Sequence, residues 1–111
     1  RAALDEAGAD LGAPTLVLVE CVLVYMDPAA GSALLSFVAD TFPDAACLAY
    51  EMVRPGDTFG RQMRSNLEAR GLTIPGVEGC ADPEAHVRRF EGCGWAAVEA
   101  VDMLGWYDAS L

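Results

Sequence analysis

Residues 15 to 26 read TLVLVECVLVYM, a dozen positions that are apolar but for Thr15, the phenol of Tyr25 and one carboxylate, Glu20. This stretch limits the possible folds more than any other part of the chain. A carboxylate inside an apolar run is costly to bury without a partner, and no candidate partner stands beside Glu20 in the chain. The fold or a ligand must therefore supply one, or the buried element must end at Glu20. Thr15 to Val19 mixes β-branched residues with Leu and does not alternate with polar ones. That continuity predicts a central parallel strand buried on both faces. CVLVYM then turns away into a loop and helix, leaving Glu20 at the carboxyl end of the strand.

The elements that follow repeat one start signal. Asp27-Pro28, Asp57 and Asp82-Pro83 each open a helix, because Asp accepts from free backbone N–H groups and Pro suits the first turn. Leu34, Leu35, Val38 and Phe42 recur at helical spacing up to Pro43. A second strand is expected at about Ala45 to Met52, which gives a strand–helix–strand unit with parallel strands. Phe59, Met63 and Leu67 lie at i, i+4 and i+8 on the next helix, which stops at Gly71. Val87 and Phe90 face inward on the helix after Pro83. A last strand is expected over Trp95 to Val101, with a short helix opening at Asp102. The fold class is α/β, one incomplete domain.

Composition narrows the functional classes. The chain has 111 residues, 53% of them hydrophobic, which is globular rather than disordered. The longest apolar run is too short to span a membrane, and no basic, apolar leader is present. Arg at position 1, in a helix-like opening, reads as a piece of a longer chain. A net charge of −10, with seven Arg and no Lys, argues against non-specific nucleic-acid binding. Cys21, Cys47, Cys80 and Cys93 show no metal-ligand rhythm, and with His86 they still lack a fourth ligand. They read as reduced, mostly buried thiols of a cytoplasmic protein; His86 reads as a solvated helix residue, and no metal is expected.

In open α/β sheets ligands bind outside the carboxyl ends of the strands. Glu20 and Glu51 lie at or near two such ends and point toward one crevice if the strands are neighbours. Glu20 at that place either accepts hydrogen bonds from a ribose, an adenine amine or an ammonium group, or pairs with an Arg or caps a helix. Glu51 has the same choice, or solvates the edge. Tyr25 is either a pocket hydroxyl or a core residue. A Gly-rich turn after a strand, which a Rossmann-type cofactor site needs, does not occur in these residues. Neither does a G-x-S-x-G or a Cys/His pairing in a plausible context.

Four blocks change this reading: PTLVLVECVLVYM, AYEMVRPGDTFGRQMRSNLEARG, GVEGC and GWAAVEAVDMLGWY, in order from about Gly8 to Tyr107. They resemble the leucine carboxyl methyltransferase family. The resemblance implies a partial class I, Rossmann-like methyltransferase fold that uses S-adenosyl-L-methionine. It implies methylation of the C-terminal leucine carboxylate of the protein phosphatase 2A catalytic subunit. By the same resemblance Glu20 contacts the cofactor and Tyr25 lies near the acceptor pocket. Arg54, Asp57 and Arg61, in a helical insertion, are substrate-side candidates together with Glu51. The cation that neutralises the acceptor is expected upstream of these residues. The segment would hold about the fourth to sixth strands of the sheet, with a gap or non-native pairing before the last. Alone, it would be a poor enzyme.

Rival expectations are a transfer-RNA-modifying (wybutosine-type) branch, which the −10 charge disfavours, and a small-molecule methyltransferase. In the latter GDTFGRQM and GVEGC would be expected to drift. A non-catalytic remnant acting as an interaction module is the third.

Overall fold

The computed structural model describes all residues from 1 to 111. Two strands, β1 (Thr15–Glu20) and β2 (Ala45–Tyr50), form a parallel pair in which Thr15 faces Ala45 and Glu20 faces Tyr50. Helix α1 (Ala2–Glu6) precedes them, and α2 (Pro28–Thr41) connects them. After β2 come α3 (Thr58–Glu68), a 3-10 turn over Pro75–Cys80, α4 (Pro83–Gly92) and α5 (Met103–Ala109).

The helix starts follow local chemistry. Asp27 accepts from the Ala29 N–H, Asp57 from Gly60, Asp82 from Ala85 and Asp102 from Gly105, at 2.7 to 2.9 Å. Each bond satisfies a donor that a first helical turn leaves without a partner. Gly71 ends the α3 region at φ +71°, a conformation open to glycine at little cost.

The core has two parts. Val19, Leu23, Leu35, Phe90 and Cys93 join β1 to α2 and α4. Val24, Ile74, Val77 and Cys80 form a second cluster, with Met63 and Leu67 of α3 packed against it. Phe59, at the start of the same helix, is 80% exposed, so only the later two of its three spaced apolar residues reach the cluster.

Two expectations need correction. β1 is not buried on both faces: its burial alternates, and Leu16, Leu18 and the facing Leu48 are all more than 60% exposed. The packed helices cover one face only, so a sequence suited to two apolar faces meets one. The last strand over Trp95 to Val101 does not form. A strand exists only through a ladder to a neighbour. Here a cleft of about 360 Å³ lies between β2 and residues 97–101, lined by Cys47, Val87, Phe90 and Val98 among others. No helix is long and apolar enough to cross a membrane.

Candidate functional site

The site is built where β1 ends. The ladder runs one residue past the strand, with the Cys21 N–H donating to the Tyr50 carbonyl at 2.8 Å. Cys21 then adopts a left-handed backbone, φ +48°, and Val22 returns to the right-handed region at φ −102°, ψ −47°. This reversal aims successive N–H groups into one concavity, which suits an anion. The anion is Glu51: its Oε1 accepts from Val22 at 3.0 Å and from Leu23 at 2.8 Å. Its Oε2 is buried and has no hydrogen-bond partner.

A 3-10 turn over Leu23–Tyr25 follows, with Leu23 and Val24 buried and Tyr25 55% exposed. The GVEGC block supports this turn from below. Gly76 is buried, and a Cβ placed there would collide with the Leu23 carbonyl oxygen. Only glycine permits so close an approach of two backbones. The neighbouring Gly79 is instead covered by a side chain, the Arg89 guanidinium.

The structure places the residues named from sequence as follows. Glu20 is exposed, opposite Tyr50, and its carboxylate accepts no hydrogen bond and pairs with no cation. Tyr25 stands at the rim of the same turn. A second cleft of about 350 Å³ at the carboxyl end of β2 is lined by Glu51 and Asp57, with Phe59, Met63 and Met103. It does not include Glu20, Tyr25, Arg54 or Arg61. Arg54 is left-handed at φ +54°; its N–H donates to the carbonyls of Cys80 and Ala81, and its side chain lies 3.5 Å from Asp102. Arg61 is held locally, donating to the Gly56 carbonyl and to the Thr58 hydroxyl. Asp57 caps α3.

His86 is not merely solvated: its Nε2 lies 3.1 Å from the Met52 carbonyl, tying α4 to the segment after β2. Cys80 and Cys93 are buried, whereas Cys21 and Cys47 are half-buried. No group of His, Cys, Asp and Glu is arranged to hold a metal. Burial, and then the charges of Glu51 and Glu20, push the Cys21 thiol above its ordinary value of 9.0. Burial also raises Cys80, against the opposing Arg89 guanidinium, and it raises Cys47.

Sequence reasoning missed the left-handed Cys21, the seat at Gly76 and the contact between Glu51 and the backbone. The paired glycines of GVEGC were the available signal for the second. Nothing local signals the third, because its partners lie 28 and 29 residues apart.

Chemically, the free carboxylate of Glu20 fits a ligand that presents hydroxyl or ammonium donors at the end of a parallel strand. It supplies one wall of such a site, and no glycine-rich phosphate or nucleoside cradle accompanies it in these residues.

The family described as Leucine carboxyl methyltransferase matches residues 1–39. The chain is 41% identical over 109 residues to tRNA wybutosine-synthesizing protein 4 of Homo sapiens, covering 98% of this chain and 16% of that protein. It is 42% identical over 94 residues to leucine carboxyl methyltransferase 1 of Bos taurus, covering 85% and 28%. With the leucine carboxyl methyltransferase 1 homolog of Arabidopsis thaliana it shares 37% over 107 residues, covering 96% and 32%. The chain therefore spans between 16% and 32% of the length of these curated relatives. The family match includes β1, and with relatives 37% and 42% identical over most of its length the chain belongs to the leucine carboxyl methyltransferase family.

Proposed function

We propose that this segment forms the carboxyl-side part of a class I, Rossmann-like methyltransferase. In this reading the whole protein transfers a methyl group from S-adenosyl-L-methionine to the C-terminal leucine carboxylate of the protein phosphatase 2A catalytic subunit. The observation that carries it is Glu20: a free, exposed carboxylate at the end of a parallel strand, inside the segment that the family matches. The cofactor, when bound, supplies an electrophilic methyl group.

The residues of this chain then act by holding and excluding. Glu20 accepts hydrogen bonds from the cofactor's hydroxyl or ammonium donors. Tyr25 presents its phenol to the acceptor pocket from the adjoining turn. Arg54, although paired with Asp102, keeps 61% of its side chain exposed and is the substrate-facing cation of this segment. Asp57 caps the helix that carries Arg61, so that both keep the insertion in place on the substrate side. An acceptor carboxylate is already ionised at neutral pH. Catalysis therefore needs positioning and removal of water more than a general base.

A second reading is supported by the similarity to tRNA wybutosine-synthesizing protein 4, which extends over 98% of the chain. It would place this segment in a protein acting in transfer-RNA modification. The net charge of −10 weighs against direct RNA contact by these residues.

The deciding experiment offers labelled S-adenosyl-L-methionine to the full-length protein with the phosphatase catalytic subunit, with and without its terminal leucine, and with transfer RNA. Label only when the leucine is present supports the first reading; label on RNA supports the second. In the same protein Glu20→Gln weakens cofactor binding by about 1–3 kcal/mol, the cost of losing a hydrogen bond to a charged group. An unchanged dissociation constant would remove Glu20 from the cofactor site.

A further inference from the structure

We propose that Glu51 is a positioning residue: its carboxylate fills the backbone concavity after β1 and so sets where Glu20 and Tyr25 stand. The inference rests on the reading of Glu20 as a cofactor contact, and it assigns Glu51 a task apart from touching substrate.

The geometry carries it in three steps. First, the left-handed Cys21 is unfavourable for a residue with a Cβ and needs compensation. The compensation visible here is that Val22 and Leu23 both donate to one oxygen of Glu51. Second, the clamp lies between the two residues of interest: Glu20 immediately precedes Cys21, and Tyr25 closes the turn that Leu23 opens. Releasing Oε1 would free the joint on which both depend. Third, one oxygen of the Glu51 carboxylate is already committed to the backbone. Oε1 takes two backbone donors and Oε2 is buried, whereas the Glu20 side chain is exposed and unpaired. The clamp comes from the far strand, so it forms only when β2 is in register beside β1.

Charge and reach separate this role from a direct one. Glutamine keeps an acceptor oxygen at the same distance and loses the charge. Aspartate keeps the charge and is one methylene too short to reach both N–H groups. The full-length protein and its Glu51→Gln, Glu51→Asp and Glu51→Ala variants are compared by hydrogen exchange at the Val22 and Leu23 amides and by the dissociation constant for S-adenosyl-L-methionine. Asp and Ala are expected to speed exchange and to weaken binding by about tenfold each, while Gln stays within about threefold of the parent. Val38→Ala, which trims a buried side chain of α2 outside the cluster that holds Leu23, lowers thermal stability and leaves the dissociation constant unchanged.

Gln as damaging as Ala, with Asp close to the parent, would overturn the proposal in favour of direct charge recognition. Exchange that is unchanged in Ala and Asp would overturn the clamp itself. Exposed amides with unchanged cofactor binding would reduce Glu51 to a structural residue. A parent that binds no S-adenosyl-L-methionine would instead refute the methyltransferase reading, while exchange would still report whether Glu51 holds the turn.

Discussion

Glu20 and Glu51 stand at the ends of neighbouring parallel strands and have opposite surroundings. Glu20 closes β1 exposed and without a hydrogen-bond partner, while Glu51, one residue beyond β2, is folded back onto the β1 loop. The one-residue difference in strand end explains the contrast. Side chains alternate across a strand, so the residue opposite Tyr50 and the residue after Tyr50 face different ways. A carboxylate at a strand end is thus no indication of a ligand by itself. What separates the two is whether the backbone nearby offers unpaired N–H groups.

The sharpest way to break this comparison attacks the loop from beneath. Gly76→Ala places a methyl group against the Leu23 carbonyl and should cost about 3 kcal/mol in urea unfolding, at the upper end of overpacking effects. A stable Gly76→Ala variant would mean that the loop is not pinned from that side. Next is Glu51→Ala, which leaves two backbone donors without their acceptor and should lose about 2 kcal/mol by the same measurement. Glu20→Ala, by contrast, removes an unpaired exposed side chain and should stay within about 0.5 kcal/mol of the parent. Equal losses for Glu20 and Glu51 would erase the distinction.

The smallest effect concerns Cys21. Its raised pKa leaves less thiolate at pH 8, so iodoacetamide should label it more slowly than an unperturbed thiol. Glu51→Gln removes the second cause of the shift and should quicken labelling modestly; burial, the first cause, remains. The same direction gives a stability sign. Below pH 9.0, the ordinary thiol value, the folded and unfolded forms both keep the Cys21 proton. Above it the unfolded chain loses that proton first, so stability falls with rising pH. Thermal melts that strengthen above pH 9.0 would contradict the raised direction.

Much of the helical framework was legible because capping is local. Asp27, Asp57, Asp82 and Asp102 each bond to an N–H two or three residues ahead, a relation that sequence spacing displays directly. The Trp95–Val101 segment was not legible for the converse reason: its apolar content suits a strand, but a strand needs a partner at hydrogen-bonding distance. Phe59 failed similarly, since its spacing marks a helix face without saying how far the neighbouring core extends. The His86 contact is likewise silent in sequence, because the Met52 carbonyl it meets lies 34 residues earlier.

By itself, then, the sequence determined the parallel strand–helix–strand unit, its helix starts and the arrival of Glu20 at a strand end. These rest on periodicity, capping and the cost of burying a carboxylate, all of which act within a few residues. Only the tertiary structure decided that Glu51 belongs to the β1 loop and that Gly76 lies under it. Those contacts require β2 in register with β1 and the Pro75–Cys80 turn packed beneath Leu23. They depend on backbone groups brought together from distant parts of the chain, and a backbone N–H looks the same at every position of a sequence.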